Sequence, residues 1–186
     1  SPYFYQGLIG PVKLSIEVEN NILKIIKKIV EEFNLMGLNG LDFILTEEEV
    51  FVIELNPRPT GAMEVFEKLL NKSILEMHCN AFINVKKKKV SEKKIKFFEN
   101  NVFDYKIIGT KIIYSDSNIL LNLDCLRQLE SLPFCRDIPN VKNLKIGDPI
   151  CSIMVTSSNI TQVKSILSNA SLTIADLIQK TTKTLN

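Results

Sequence analysis

The chain has 186 residues, of which 45% are hydrophobic and 24% charged, and its formal net charge is +2 at pH 7. This composition is typical of a globular protein with one large or two small domains, and so small a net charge favours neither nucleic acid nor a membrane surface as a partner. No apolar run approaches the roughly 18 residues of a membrane span, and no secretory signal pattern opens the sequence. We therefore expect no nucleic-acid and no membrane partner.

The cysteines indicate the cellular compartment of the protein, and the first residues indicate whether the chain is a fragment. Cys79, Cys125, Cys135 and Cys151 stand apart, with no Cys-x-x-Cys pair. That spacing predicts free thiols in a reducing cytoplasm. The sequence opens with Ser1 and an aromatic stretch rather than with Met, which is typical of the middle of a domain, so we expect a fragment.

The first half of the chain predicts strands, then a helix, then a hairpin. Residues 3–18 are rich in aromatic and β-branched types and predict one or two strands with a bend. From Asn20 apolar residues recur with helical spacing, which predicts an amphipathic helix capped by Asn20 or Asn21 and ending near Gly37. Residues 41–45 and 51–55 predict two short strands joined by an acidic turn.

The remaining elements complete an α+β pattern. After an irregular segment with two prolines, residues 63–70 and 73–85 predict two helices. Residues 85–96 are rich in lysine and predict a linker or exposed loop, with a phosphate-binding patch as the alternative. Further elements are predicted as strands at 102–115, 119–123 and 149–156 and as two helices from about residues 160 and 174.

The hairpin places acidic and amide side chains on one face, because successive strand side chains point to opposite faces. Pairing Thr46 with Val50 across the turn sets Asp42 opposite Glu54. One face then carries Asp42, Ile44, Val52, Glu54 and Asn56. The other face carries Phe43, Leu45, Phe51, Ile53 and Leu55. We expect this second, apolar face to be buried in a core.

Two directly opposed carboxylates repel each other, so Asp42 and Glu54 predict a counter-charge. A divalent cation such as Mg²⁺ fits, because it is usually held by one or two carboxylates plus substrate phosphates. Asn56 adds a carbonyl oxygen, and Ile44 and Val52 form an apolar floor suited to a flat nucleobase. The alternative is that the polar residues are simply solvated on an exposed face.

The order of these residues resembles the metal-binding hairpin of the ATP-grasp superfamily. A helix, a Gly-x-x-Gly-x-Asp-Phe motif, a hairpin and Asn-Pro-Arg follow one another over residues 20–85. Residues 54–64 look closest to a group of predicted ATP-dependent carboligases related to biotin carboxylase, and residues 135–156 look like the C-terminal segment of that group. The residues that carry the resemblance are Asp42, Glu54, Asn56 and Arg58.

The resemblance implies a fold and a chemistry. The fold is the C-terminal lobe of the ATP-grasp fold, an antiparallel sheet with helices, at residues 1–90, followed by a small α+β segment at residues 91–186. Asp42, Glu54 and Asn56 would ligate one or two Mg²⁺ (or Mn²⁺) ions that bridge the phosphates of ATP. Arg58 would bind the transferring phosphate or the acyl-phosphate through paired hydrogen bonds. Such enzymes phosphorylate a small-molecule carboxylate and let an amine or similar nucleophile displace the phosphate.

Family members carry an upstream lobe with a glycine-rich flap and phosphate-binding lysines, which has no counterpart before residue 20. The sequence therefore predicts a truncated chain, or a subunit that needs a partner chain, with little activity alone. A non-catalytic nucleotide- or metal-binding module is one alternative, and a domain that uses its lysine-rich loop against an acidic partner is another. His78, the single histidine, is either a general base or a hydrogen-bonded core residue.

Overall fold

The computed structural model describes residues 4–47, 49–83, 106–140 and 143–184, which divide into two compact units. We call residues 12–83 the hairpin unit and the other described residues the second unit. The strand pairs of the described residues are antiparallel, which agrees with the predicted α+β class. The predicted boundary at residue 90 and the lysine-rich segment at 85–96 lie outside the described residues.

The hairpin unit contains five elements in chain order: α1 (Ile16–Phe33), β2 (Gly40–Leu45), β3 (Val50–Asn56), α2 (Met63–Leu70) and α3 (Ile74–Ile83). Helix α1 begins earlier than the sequence predicted, because Ser15 and not Asn20 or Asn21 is its cap. The Ser15 side chain accepts a hydrogen bond from the Val18 amide at 3.3 Å. Two glutamates in the first turn interact favourably with the positive end of the helix dipole.

The apolar face of the hairpin is only partly covered, which differs from the expectation that it lies in a core. Leu55 is half-buried, but Phe51 is 48% and Ile53 is 63% exposed. Within the described residues β2 and β3 form a two-stranded sheet, and two strands cannot enclose a core. A cavity of about 220 Å³ lies between α1 and the hairpin, with Val30, Leu41 and Phe43 among its lining residues.

The second unit is built on a four-stranded antiparallel sheet. In the order in which they pair, its strands are β1 (Gly7–Gly10), β4 (Ile107–Tyr114), β8 (Pro149–Ser157) and β6 (Cys135–Arg136). Strand β1 therefore joins a unit that lies mostly in the second half of the chain, although the sequence assigned residues 1–90 to one domain. A separate sheet has the order β7-β5-β9, from β5 (Ile119–Leu120), β7 (Asn143–Leu144) and β9 (Lys183–Thr184).

Two helices pack against the four-stranded sheet and form the main core of the second unit with it. They are α4 (Leu123–Ser131) and α5 (Ile160–Thr181). The sequence predicted two helices where the single α5 runs for 22 residues. Its buried side chains recur every three or four positions, as Val163, Leu167, Ala170 and Ile174. Such a stripe packs along one line on the sheet, so a break near residue 170 would interrupt the core.

All four cysteines are free, as predicted, and they differ in environment. Cys125 and Cys151 are buried, Cys135 is half-buried and Cys79 is exposed. A hydrogen bond from the Cys151 thiol lowers the pKa of Cys135. The same hydrogen bond is the largest cause of the raised pKa of Cys151, and burial of that thiol is the second. Burial also raises the pKa of Cys125.

These environments predict the order of alkylation by iodoacetamide in the native protein. Because the thiolate is the reacting form and must be reached by the reagent, we expect Cys79 and Cys135 to be modified and Cys125 and Cys151 to be protected. Peptide mass spectrometry measures this, with urea-unfolded protein as the control in which all four react. Native labelling of Cys151 as fast as that of Cys79 would contradict the packing described here.

No helix among the described residues has the length and apolar character that crossing a membrane requires.

Candidate functional site

The predicted pairing of the two acidic residues is confirmed by the register of the hairpin. Asp42 on β2 lies directly opposite Glu54 on β3, and both side chains are exposed. Side chains of directly opposed residues project from the same face of a sheet, with their Cβ atoms about 4.5–5.5 Å apart. The hairpin therefore brings two carboxylates together on one accessible face.

A β-bulge next to this pair changes the register that the sequence predicted for the rest of the hairpin. The pairing shifts between Asp42 and Phe43, so that Phe43 lies opposite Val52 and Ile53 has no partner. Ile44 consequently lies opposite Phe51 rather than Val52. The predicted pairing of Ile44 with Val52 is therefore wrong, because one extra residue in β3 moves Val52 opposite Phe43. The role of Ile44 and Val52 as an apolar floor for a nucleobase stays a prediction.

Asn56 is held against the acidic pair at the end of β3. Its side chain is 9% exposed, and Nδ2 donates a hydrogen bond to Asp42 Oδ2 at 3.5 Å. It lies opposite Gly40 across the hairpin. A Cβ at Gly40 would collide with Thr60 Cγ2 and lie 3.5 Å from the Asn56 Cβ. Gly40 is thus required by the close approach of Thr60, whereas its contact with Asn56 would be an ordinary one.

Arg58 follows Asn56 in an irregular segment between two prolines. Its backbone amide donates to the Asn56 carbonyl oxygen at 2.7 Å, and its Nη1 donates to the Pro59 carbonyl oxygen at 3.2 Å. The side chain is nevertheless exposed, so the other guanidinium donors are accessible. The segment therefore presents a cation close in sequence to Asn56 while restricting the backbone that carries it.

The donor set of this face suits a hard divalent cation. Asp42 and Glu54 supply carboxylate oxygens and Asn56 can supply an amide oxygen, which are the ligand types that Mg²⁺ prefers. In the part of the chain that the structure describes, no group of three His, Cys, Asp or Glu side chains could hold a metal ion. A cation bound here would therefore need further ligands, which water or phosphate oxygens supply in Mg²⁺ sites.

His78 occupies a different place from the acidic face. Its Nδ1 accepts a hydrogen bond from the Leu38 amide at 2.9 Å, and its ring lies against Phe82 with centroids 5.0 Å apart. Of the two roles considered from the sequence, this contact favours the hydrogen-bonded one. Neither the bulge at Ile53 nor this contact has a signal in the sequence, since both depend on how the elements pack.

Comparison with known proteins gives matches that bear on this hairpin. The ATP-grasp domain family matches residues 2–62. An uncharacterized protein of Methanocaldococcus jannaschii is 23% identical over 167 residues, which cover 89% of this chain and 36% of that protein. The carbamoyl phosphate synthase large chain of Thermoplasma volcanium is 33% identical over 84 residues, which cover 45% of this chain and 8% of that protein.

One solved structure extends the likeness over nearly the whole chain. The structure of an L-amino acid ligase from Bacillus licheniformis matches 99% of this chain and 45% of its own chain, with a TM-score of 0.66 and 14% identity. At that identity the match shows a shared fold. The chain spans less than half the length of each of these proteins.

Proposed function

Because the chain is a member of the ATP-grasp superfamily, we propose that it forms part of an ATP-dependent ligase. The reaction joins a small-molecule carboxylate to an amine or similar nucleophile through an acyl-phosphate, with Mg²⁺ or Mn²⁺ bound alongside ATP. Relatives whose names state a ligase or a synthase support the proposal, as an L-amino acid ligase and a carbamoyl phosphate synthase do.

The observation that carries the proposal is the opposed pair of carboxylates with a buried amide beside it. Asp42 lies opposite Glu54, and Asn56 donates to Asp42 while being 9% exposed. A solvated hairpin face has no need to bury an amide against a carboxylate. A metal site does, because the hydrogen bonds that orient a ligand also set its affinity for the ion.

The residues of the hairpin would take distinct parts in such a reaction. Asp42, Glu54 and Asn56 would hold the divalent cation, which supplies positive charge to the phosphates of ATP. Ile44 and Phe51, which lie opposite each other, would offer the base an apolar surface. Arg58 would neutralise negative charge that develops on the transferred phosphoryl group.

The proposed reaction has two steps. The carboxylate oxygen of the substrate attacks the γ-phosphorus, and ADP leaves with the electron pair of the broken P–O bond. The nucleophile then attacks the acyl carbon, phosphate leaves, and the nucleophile loses a proton. For both steps the protein contributes position and positive charge rather than a covalent intermediate.

The rest of the active site would come from chain outside these 186 residues. The relatives are more than twice as long, so we propose that the missing lobe lies in the same polypeptide or in a partner subunit. We call that larger assembly the complete protein. The free thiols of the cysteines favour a reducing compartment such as the cytoplasm.

Metal binding by acidic-face variants tests this proposal. In the complete protein, we expect Glu54→Gln and Asp42→Asn to weaken Mn²⁺ binding in the presence of ADP, and to lower ADP release from ATP, by about 100-fold, the upper end of the range for groups that orient metal ligands. Electron paramagnetic resonance of free Mn²⁺ measures the affinity. The isolated chain should bind Mg²⁺·ATP far more weakly than the complete protein.

Glu49→Gln provides the matched control, because it removes one negative charge from the same hairpin at an exposed turn position. It should leave Mn²⁺ affinity near that of the unaltered protein. Equal losses of Mn²⁺ affinity in Glu49→Gln and Glu54→Gln would show that the affinity depends on the negative charge of the hairpin in general and not on the acidic face. Tight Mg²⁺·ATP binding by the isolated chain would show that the missing lobe is not needed.

A further inference from the structure

The turn that precedes β2 is held from one side by an imidazole of α3. The Leu38 amide donates to His78 Nδ1 at 2.9 Å, and both groups belong to the hairpin unit. His78 is half-buried, and the edge-on contact of its ring with Phe82, at an interplanar angle of 62°, restricts the ring's orientation. A backbone amide can only donate, so His78 Nδ1 is the acceptor in this hydrogen bond.

Gly37 fits this imidazole as closely as Leu38 does. Its φ of +69° is one that side-chain-bearing residues rarely adopt. A Cβ at Gly37 would lie 2.6 Å from His78 Nδ1 and 3.0 Å from Phe82 Cε2. The backbone of the turn therefore approaches the ring more closely than any other residue type would allow, and the turn and the imidazole form one packed unit.

The helix that carries His78 is itself fixed at its start. Glu67 of α2 accepts hydrogen bonds through Oε1 from the Ile74 amide at 2.8 Å and the Leu75 amide at 3.4 Å. Ser73 Oγ accepts from the Glu76 amide at 3.1 Å. Ile74 is 3% exposed, so its side chain is packed as well. The imidazole is thus presented by a helix whose first turn has little freedom to move.

Only Asn39 separates Leu38 from the point where the acidic hairpin begins. Gly40 pairs with Asn56, and Asp42 pairs with Glu54 two residues later. The bulge lies directly after Asp42 and leaves Ile53 of β3 without a partner. If β2 shifted along β3, Asp42 could therefore pair with Ile53 instead of Glu54. A displacement by one residue would turn Asp42 to the other face of the hairpin. The position of Asp42 therefore depends on how firmly the preceding turn is held.

We propose that His78 is a positioning residue for the acidic hairpin, holding the Leu38 amide through Nδ1 so that Asp42 stays opposite Glu54. This inference rests on the proposed function, because it gives His78 a part in metal binding without contact to the metal. The proposal does not make His78 a general base, since Nδ1 already accepts the hydrogen bond from the Leu38 amide.

Two amide substitutions separate the hydrogen bond from the bulk of the side chain. In His78→Asn the Oδ1 atom is bonded to Cγ, as Nδ1 is in histidine, so an acceptor remains in reach of the Leu38 amide. In His78→Gln the carbonyl oxygen lies one bond farther out. Glutamine is the better helix former of the two, so helix propensity alone predicts the opposite order of effects.

Two readouts on the complete protein test the proposal. Hydrogen exchange of the segment that contains Leu38, measured by mass spectrometry without metal, reports the hydrogen bond. Mn²⁺ affinity in the presence of ADP reports the site. We expect His78→Gln to lose protection at Leu38 and to bind Mn²⁺ about tenfold more weakly, the lower end of the range for groups that orient metal ligands. His78→Asn should retain most of both.

Val65→Ala is the control for lost stability, because it trims a buried side chain of α2, which neither carries His78 nor belongs to the turn. It should lower the unfolding midpoint while leaving Mn²⁺ affinity unchanged. Loss of Leu38 protection in His78→Gln with unaltered Mn²⁺ affinity would overturn the positioning role, as would equal behaviour of the Asn and Gln variants. Failure of the unaltered protein to bind Mn²⁺, with Leu38 still protected, would instead count against the proposed function.

Discussion

Replacing Arg58 by lysine in the complete protein is expected to lower kcat by about 30- to 1000-fold and to change the KM for ATP much less. The substitution keeps the positive charge but removes the planar set of donors that can pair with two phosphate oxygens at once. Losing one donor aimed at charge that develops in the transition state costs on the order of 2–4 kcal/mol. Because that charge is absent from bound ATP, the loss should appear in turnover.

The geometry of Arg58 supports this expectation. Its amide and Nη1 are both held by the backbone on either side, at Asn56 and at Pro59, so the guanidinium is restrained before substrate binds. A lysine ammonium, at the end of a flexible chain, would not be restrained in this way. Steady-state kinetics with varied ATP measure the effect, and Arg127→Lys, at an exposed position of α4, is the control. Near-normal kcat for Arg58→Lys would make Arg58 an ordinary surface residue.

Replacing Leu129 by alanine is expected to lower the free energy of unfolding of the second unit by about 2–5 kcal/mol. Leu129 is 0% exposed and belongs to the core cluster beneath α4. Alanine would remove apolar area from that core and leave a cavity that close-packed neighbours fill only partly. The loss is large beside the roughly 5–15 kcal/mol by which domains are stable.

Urea unfolding followed by circular dichroism measures this change, and the same helix provides the control. Leu123 lies at the start of α4 and is 57% exposed. Because Leu123→Ala removes the same atoms from a position that is already in water, it should change the unfolding free energy by less than about 1 kcal/mol. Equal effects of the two substitutions would contradict the burial of Leu129.

The elements predicted most accurately were those governed by contacts close in sequence. Strands β2 and β3 follow from two short β-rich runs joined by a polar turn, and their antiparallel pairing sets Asp42 opposite Glu54. The helical spacing of apolar residues likewise predicted most of α1. Its start was predicted too late, because several polar residues near the N-terminus of a helix can serve as caps, and Ser15 competes with Asn20 and Asn21.

Tertiary packing decided the features that no local pattern encodes. Strand β1 pairs with β4, about 100 residues farther along the chain, and nothing in residues 7–10 identifies that partner. Because of the bulge at Ile53, Ile44 lies opposite Phe51 and not opposite Val52 as predicted. One unpaired residue reverses the faces of the positions beyond it. Strand alternation cannot reveal where such a residue falls.

The sequence by itself therefore determined the chemistry of the acidic face, since residue type and strand alternation place Asp42, Glu54 and Asn56 together. The tertiary structure alone decided how that face is held. Asn56 is buried against Asp42, Arg58 is fastened to its neighbours, and His78 reaches back 40 residues to the Leu38 amide. Hydrogen bonds between segments depend on distances in space, which follow only after the hairpin and its helices have packed.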